Sequence, residues 1–296
     1  MSVASASCVS RADIDKFIGG GGDDASGDIS KTVVTTETYH AEYTFRYDSR
    51  RPTFGRCRYT IEYPVKLGGY DLGRFHRAIN KFLKMPGDAT PVEMIERWAT
   101  PDSIAFMAGG DVSKWSRCEA SDVRTPEYGV EYGDDDLLFF GVPSEMLEAG
   151  MAGFWPEIGL AQYRLNYYMN LASGTGAGEN YFTTYMVYDL KGDRTLKLND
   201  ILTGSYRSVL RKQIHDYLRD HADEFYIYDG IANVEPSQYW HLDMAGGSIV
   251  FSYPKYEIGP GAAGVITVPV HFYWLKDAGV LTPLGASIVD ATGRDY

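Results

Sequence analysis

From Tyr39 the chain alternates strictly, with Tyr39, Ala41, Tyr43, Phe45 and Tyr47 on one side and His40, Glu42, Thr44 and Arg46 on the other. A two-residue period with one apolar and one polar side predicts a half-buried strand. Arg50-Arg51-Pro52 interrupts it, and Cys57, Tyr59, Ile61 and Tyr63 then alternate with Arg58, Thr60 and Glu62. Antiparallel pairing of these two strands is the economical arrangement. After Gly68-Gly69 the period lengthens: Leu72, Phe75, Ile79, Phe82 and Leu83 recur at helical spacing. Thr90-Pro91-Val92-Glu93 reads as a capping box with proline at the first helical position. Met94, Ile95 and Trp98 give that helix an apolar face, and Pro101 stops it.

Between residues 119 and 160 the pattern is irregular. Glu131 and Asp134-Asp135-Asp136 predict a solvated loop, Leu137 to Phe140 a short buried strand, and Ser144 to Met151 a helix closed by Gly153. Alternation returns at Gln162 with Tyr163, Leu165 and Tyr167, and a long strand is predicted from Tyr181 to Leu190. A helix should then bury Tyr206, Leu210, Ile214, Tyr217 and Leu218. Trp240, Leu242 and Met244 alternate before Gly246-Gly247 turns the chain into Ile249, Phe251 and Tyr253. Mixed order and short connections predict an α+β fold of mainly antiparallel sheets, with helices packed on one face and two subdomains. The expected organisation is a flexible tether (1–31), an N-terminal strand-strand-helix subdomain (32–125), a connecting region (126–160) and a C-terminal domain (161–296).

The densest signal lies between the last two strands, in Tyr253-Pro254-Lys255-Tyr256-Glu257-Ile258-Gly259-Pro260-Gly261-Ala262-Ala263-Gly264. A simple reversal needs only two residues, so three glycines and a proline within the six residues from Gly259 to Gly264 fix an unusual backbone path. Two roles compete. In one, Gly259 and Gly261 take positive φ so that strands pack closely. In the other, Tyr256, Glu257, Pro260 and Gly261, with nearby aromatics such as Trp240, face a ligand.

Composition narrows the partners. Of 296 residues, 44% are hydrophobic and 23% charged, and the net charge is −12. That balance repels phosphate backbones and excludes nucleic acid as an expected partner, while a basic protein partner fits it. Strand composition accounts for the 23 tyrosines. No segment has the apolar length to span a membrane. The chain has no His-Glu-x-x-His and no cysteine pair at zinc-ligand spacing. It has neither a Gly-x-Ser-x-Gly elbow nor a phosphate-binding loop. His215 and His221 read as solvated, His241 and His271 as isolated, satisfied polar residues, and the three aspartates as an acidic turn rather than a calcium loop. No catalytic residue, metal site or cofactor is therefore assigned.

Two segments carry a family resemblance. One is Val187-Tyr188-Asp189-Leu190-Lys191-Gly192 with Leu196 through Leu202; the other is Ile249-Val250-Phe251 through Gly264 and Val268-Pro269. Together they resemble the domain family of unknown function typified by the C-terminal domain of RsiV, a lysozyme-binding anti-sigma factor. That family also occurs in bacterial envelope lipoproteins and beside peptidoglycan deacetylase domains. The resemblance spans roughly residues 160–285, with a weaker extension over 33–85. Two departures stand out: Gly261 replaces the tyrosine that commonly follows the signature proline, and Gly176-Ala177-Gly178-Glu179 lacks the family's histidine.

The resemblance implies an exported binding module whose ligand is a cell-wall glycan or a basic lytic enzyme such as lysozyme. The alternative is an envelope glycan or peptidoglycan hydrolase, which would need a cleft with two facing carboxylates. Ser2 to Cys8 resembles the end of a lipoprotein signal, with Cys8 as the lipidated residue and the Gly-Asp-rich stretch after it as a tether. The competing reading is a disordered N-terminus with an idle thiol. Cys57 and Cys118 would form a disulfide in an extracytoplasmic domain, or stay buried thiols in a reducing compartment.

Overall fold

A computed structural model of the chain describes residues 33–47, 53–101, 111–117, 144–170, 179–224 and 226–294. Cys8, Cys118, the three aspartates, the Leu137–Phe140 strand and the 173–178 loop lie outside the described residues.

Strands β1 (Val34–Tyr47) and β2 (Thr53–Leu67) pair antiparallel along their whole length, as their alternation predicts. Helices α1 (Gly73–Phe82) and α2 (Pro91–Trp98) follow. The capping box of α2 is formed: the Thr90 hydroxyl accepts from the Glu93 N–H, and the Glu93 carboxylate accepts from the Thr90 N–H at 2.8 Å. The short β3 (Trp115–Arg117) pairs with β1. Then come β4 (Ser144–Trp155), β5 (Leu160–Asn170), β6 (Glu179–Asp189) and the two-residue β7 (Arg194–Thr195). They complete a seven-stranded sheet of order β3-β1-β2-β4-β5-β6-β7. Among the described residues only the β2–β4 pairing in this sheet is parallel.

β4 corrects the helix expected over Ser144 to Met151. Ser-Glu-Met-Leu-Glu-Ala is rich in helix formers, but β2 and β5 pair with this segment on both sides, and tertiary pairing overrides local propensity. The central strand of the large sheet thus comes from the 126–160 stretch.

The second half supplies α3 (Leu198–Ile201), α4 (Tyr206–Asp220), β8 (Trp240–Asp243), β9 (Ser248–Tyr253), β10 (Ile266–His271), α5 (Phe272–Asp277) and α6 (Pro283–Ala291). The three strands form an antiparallel sheet of order β10-β9-β8, and α4 packs against β10.

Two cores result. One lies beneath α1 and α2, where Phe75, Ile79, Met94 and Ile95 meet Phe45, Tyr59, Ile61, Tyr163 and Tyr188. The other gathers Leu210, Ile214 and Leu218 of α4 around Ile249, Phe251, Val268 and Val270 of the small sheet. β5 and β6 serve both: Tyr163 and Tyr188 enter the first core, while Leu160 and Val187 enter the second. Gln162 locks the junction. Its buried side-chain oxygen accepts from the Leu242 N–H at 2.9 Å, and its amide donates to the Leu242 carbonyl at 3.3 Å.

Candidate functional site

The segment between β9 and β10 is tied down at several points. At its start the Tyr253 hydroxyl is buried and donates to the Glu235 carbonyl at 2.9 Å. Further on, the Ile258 carbonyl accepts from the Tyr228 N–H at 2.8 Å. Gly259 is buried; a methyl there would sit 2.8 Å from the Tyr226 carbonyl oxygen and 3.2 Å from Ile266 Cδ1. A methyl at Gly261 would run into the Tyr256 ring. Neither glycine has positive φ, which corrects the expectation from sequence. Both are needed for close approach. The positive values belong to Gly264, at φ 71° and ψ −148°, and to Tyr256, at φ 69°.

Tyr256 is the unusual residue. A bulky side chain in the left-handed region is a conformational outlier, and outliers of this kind concentrate at functional sites. Its ring lies across Gly261 yet stays 62% exposed. Thus the absence of a side chain at Gly261 makes room for the Tyr256 ring.

Three more exposed tyrosines surround this loop. Tyr226 and Tyr228 pack edge to face at 6.1 Å beside Ile258 and Gly259. Tyr181 lies 5.7 Å beneath the Lys255 ammonium, and its hydroxyl faces Gly264. A shallow cavity of about 700 Å³ adjoins them, lined by Tyr226, Ile231, Pro260 and Ala263 with Asp223 and Glu224. Glu257 is exposed beside Tyr256, and partial desolvation raises its carboxyl above the ordinary value. The surface is therefore aromatic at its centre and mainly acidic around it.

Trp240 belongs elsewhere. It lines a larger groove of about 1090 Å³ where α1, the outer edge of β6, the start of α4 and residues 235–238 converge. The sequence grouping of Trp240 with the signature loop is thus corrected. Among the described residues Glu235 is the only carboxylate lining this groove, and it sits 3.2 Å from Arg211.

The histidines are held more closely than expected. His215 contacts the Val234 carbonyl at 2.8 Å. His221 stacks on Tyr217 at 4.1 Å and contacts its carbonyl. His241 stacks on Tyr185 at 4.1 Å, and among the described residues its buried Nδ1 has no hydrogen-bond partner, so it is not the satisfied residue expected. Burial lowers its pKa. Cys57 is fully buried and desolvation pushes its thiol up to about 12; with Cys118 outside the described residues, the disulfide stays an expectation. Among the described residues no three potential ligands converge to hold a metal.

Residues 198–273 match a family model described as "Protein of unknown function (DUF3298)". The matched segment runs from α3 to the start of α5 and contains the whole signature loop. A crystal structure of a DUF3298 family member from Bacteroides fragilis NCTC 9343 superposes with a TM-score of 0.63 at 19% identity, covering 89% of this chain and 99% of that one. At that identity the likeness shows a shared fold. A DUF3298 family protein from Pseudomonas aeruginosa PAO1 gives a TM-score of 0.48 at 14% identity, covering 86% of this chain and 97% of that one. No curated protein matches the chain.

Proposed function

We propose that this chain is an exported, lipid-anchored envelope binding module whose signature loop captures a basic protein, of which a lytic enzyme such as lysozyme is the type. Tyr256 carries this reading, held at φ 69° with its ring 62% exposed. Tyr226, Tyr228 and Tyr181 around it complete an aromatic centre. Tyrosine is enriched among interface hot spots, where a rigid ring buries area at low entropy cost. Asp223, Glu224 and Glu257 then supply charge complementary to a basic partner and would steer its approach. The link to a cell-wall glycan or lysozyme, and the extracytoplasmic location with Cys8 as anchor, rest on the family resemblance.

The hydrolase alternative has less support. Its chemistry needs two carboxylates across a cleft, whereas among the described residues one carboxylate, Glu235, lines the larger groove, already beside Arg211. Binding of lysozyme and of solubilised peptidoglycan fragments to the purified chain and to Tyr226→Ala tests the proposal. Binding of lysozyme that weakens in the variant and at high salt supports it. Salt-independent binding, or binding indifferent to Tyr226, would remove the loop surface from the account.

A further inference from the structure

The Trp240 groove gathers cationic side chains. Lys81 of α1, Lys197 before α3 and Arg207 of α4 line it. Against them, among the described residues, stands Glu235, itself paired with Arg211. Lys81 and Arg207 are exposed and enter no ion pair among the described residues. In a chain of net charge −12, three cations around one opening favour an anionic occupant.

The rest of the lining says what kind of anion. Trp240 and Tyr206 give aromatic faces, and Asn199 and Gln238 give exposed amides. The volume of about 1090 Å³ sits at the top of the range for small-molecule sites, with room for several linked rings. Aromatic faces carry negative quadrupole density that attracts the electropositive C–H face of a sugar ring. Amides pair with hydroxyls, and Arg and Lys bind carboxylates through charge-assisted hydrogen bonds. We infer that this groove binds a carboxylate-bearing oligosaccharide, at a site separate from the loop surface and standing whether or not that surface binds a protein. Trp240 and Tyr206 stack on the rings, Asn199 and Gln238 read hydroxyls, and Lys81, Lys197 and Arg207 hold the carboxylates.

Calorimetric titration of the full chain with three probes tests this: an oligogalacturonate, its carboxyl-reduced neutral counterpart, and poly-glutamate. The acidic oligosaccharide should bind. Affinity should fall at least tenfold on carboxyl reduction, and as much in a Lys81→Ser/Arg207→Ser double variant, whose changes are exposed and leave the core intact. Trp240→Phe should weaken binding less than Trp240→Ala, and Tyr256→Gly should leave it unchanged. Three results would overturn the inference: no binding of the acidic oligosaccharide, equal binding of the neutral one, or poly-glutamate binding as tightly with no effect of Trp240→Ala. Loss of oligosaccharide binding in Tyr256→Gly would move the site to the loop and overturn it equally.

Discussion

Replacing Tyr256 with glycine separates a strained recognition residue from a structural one. Three effects on stability oppose each other. Removing a non-glycine side chain from the left-handed region returns about 1–3 kcal/mol. Glycine costs roughly 0.5–1 kcal/mol in extra unfolded-state freedom. The ring is 62% exposed, so it covers about 40% of a tyrosine surface of roughly 200 Å², near 75 Å². At about 25 cal/mol per Å² that contact is worth close to 2 kcal/mol. The sum runs from about −2 to +0.5 kcal/mol, which for a chain of this size lowers the melting temperature by no more than about 8 °C. Binding has no such cancellation: truncation of a central hot-spot aromatic costs about 2 kcal/mol or more, roughly thirtyfold in Kd. Thermal melts and a lysozyme titration of the same preparation read both quantities. A melting temperature lowered by more than about 8 °C with lysozyme affinity unchanged would refute the reasoning and make Tyr256 a packing residue.

Other perturbations test the framework around the two surfaces. Gly259→Ala forces a methyl against the Tyr226 carbonyl and Ile266; overpacking of about 1–3 kcal/mol is expected in chemical denaturation, with faster amide exchange at Tyr228. Gln162→Leu leaves the Leu242 N–H and carbonyl without their side-chain partner, a loss of about 1–3 kcal/mol that Gln162→Glu should not fully restore. For His241, burial depresses the folded-state pKa, so below about pH 6.5 the unfolded chain binds the proton first. Stability should therefore fall as pH drops from about 6.5 toward the depressed value, and His241→Phe should flatten melting temperature between pH 7 and pH 5. Asp200 and Asp216, whose ion-pairing arginine and lysine partners help hold their pKa low, lose their contribution only at more acidic pH.

The strands, the α2 capping box and the α4 face were legible because local rules and tertiary packing agree there. At Ser144–Met151 they disagree, since helix-forming residues are claimed by two neighbouring strands. The signature loop announced itself through glycine and proline, yet the job of each glycine was hidden. Gly259 answers to the Tyr226 carbonyl, more than thirty residues earlier, and Gly261 to a ring five residues before it. Tyr226 and Tyr228 lie in an aperiodic stretch between α4 and β8, where only the spacing of two tyrosines around Ile227 hints at a shared exposed face. The Trp240 groove had no sequence signal, because its walls come from five separate parts of the chain.

The central claim is binding without turnover. The full chain, mixed with lysozyme and separately with solubilised peptidoglycan strands, can be followed at once for complex formation and for release of reducing ends. A saturable complex with lysozyme that weakens with added salt, and no new reducing ends from peptidoglycan, is the expected result. Glycan cleavage by the purified chain, or failure to bind lysozyme at low ionic strength, would contradict it.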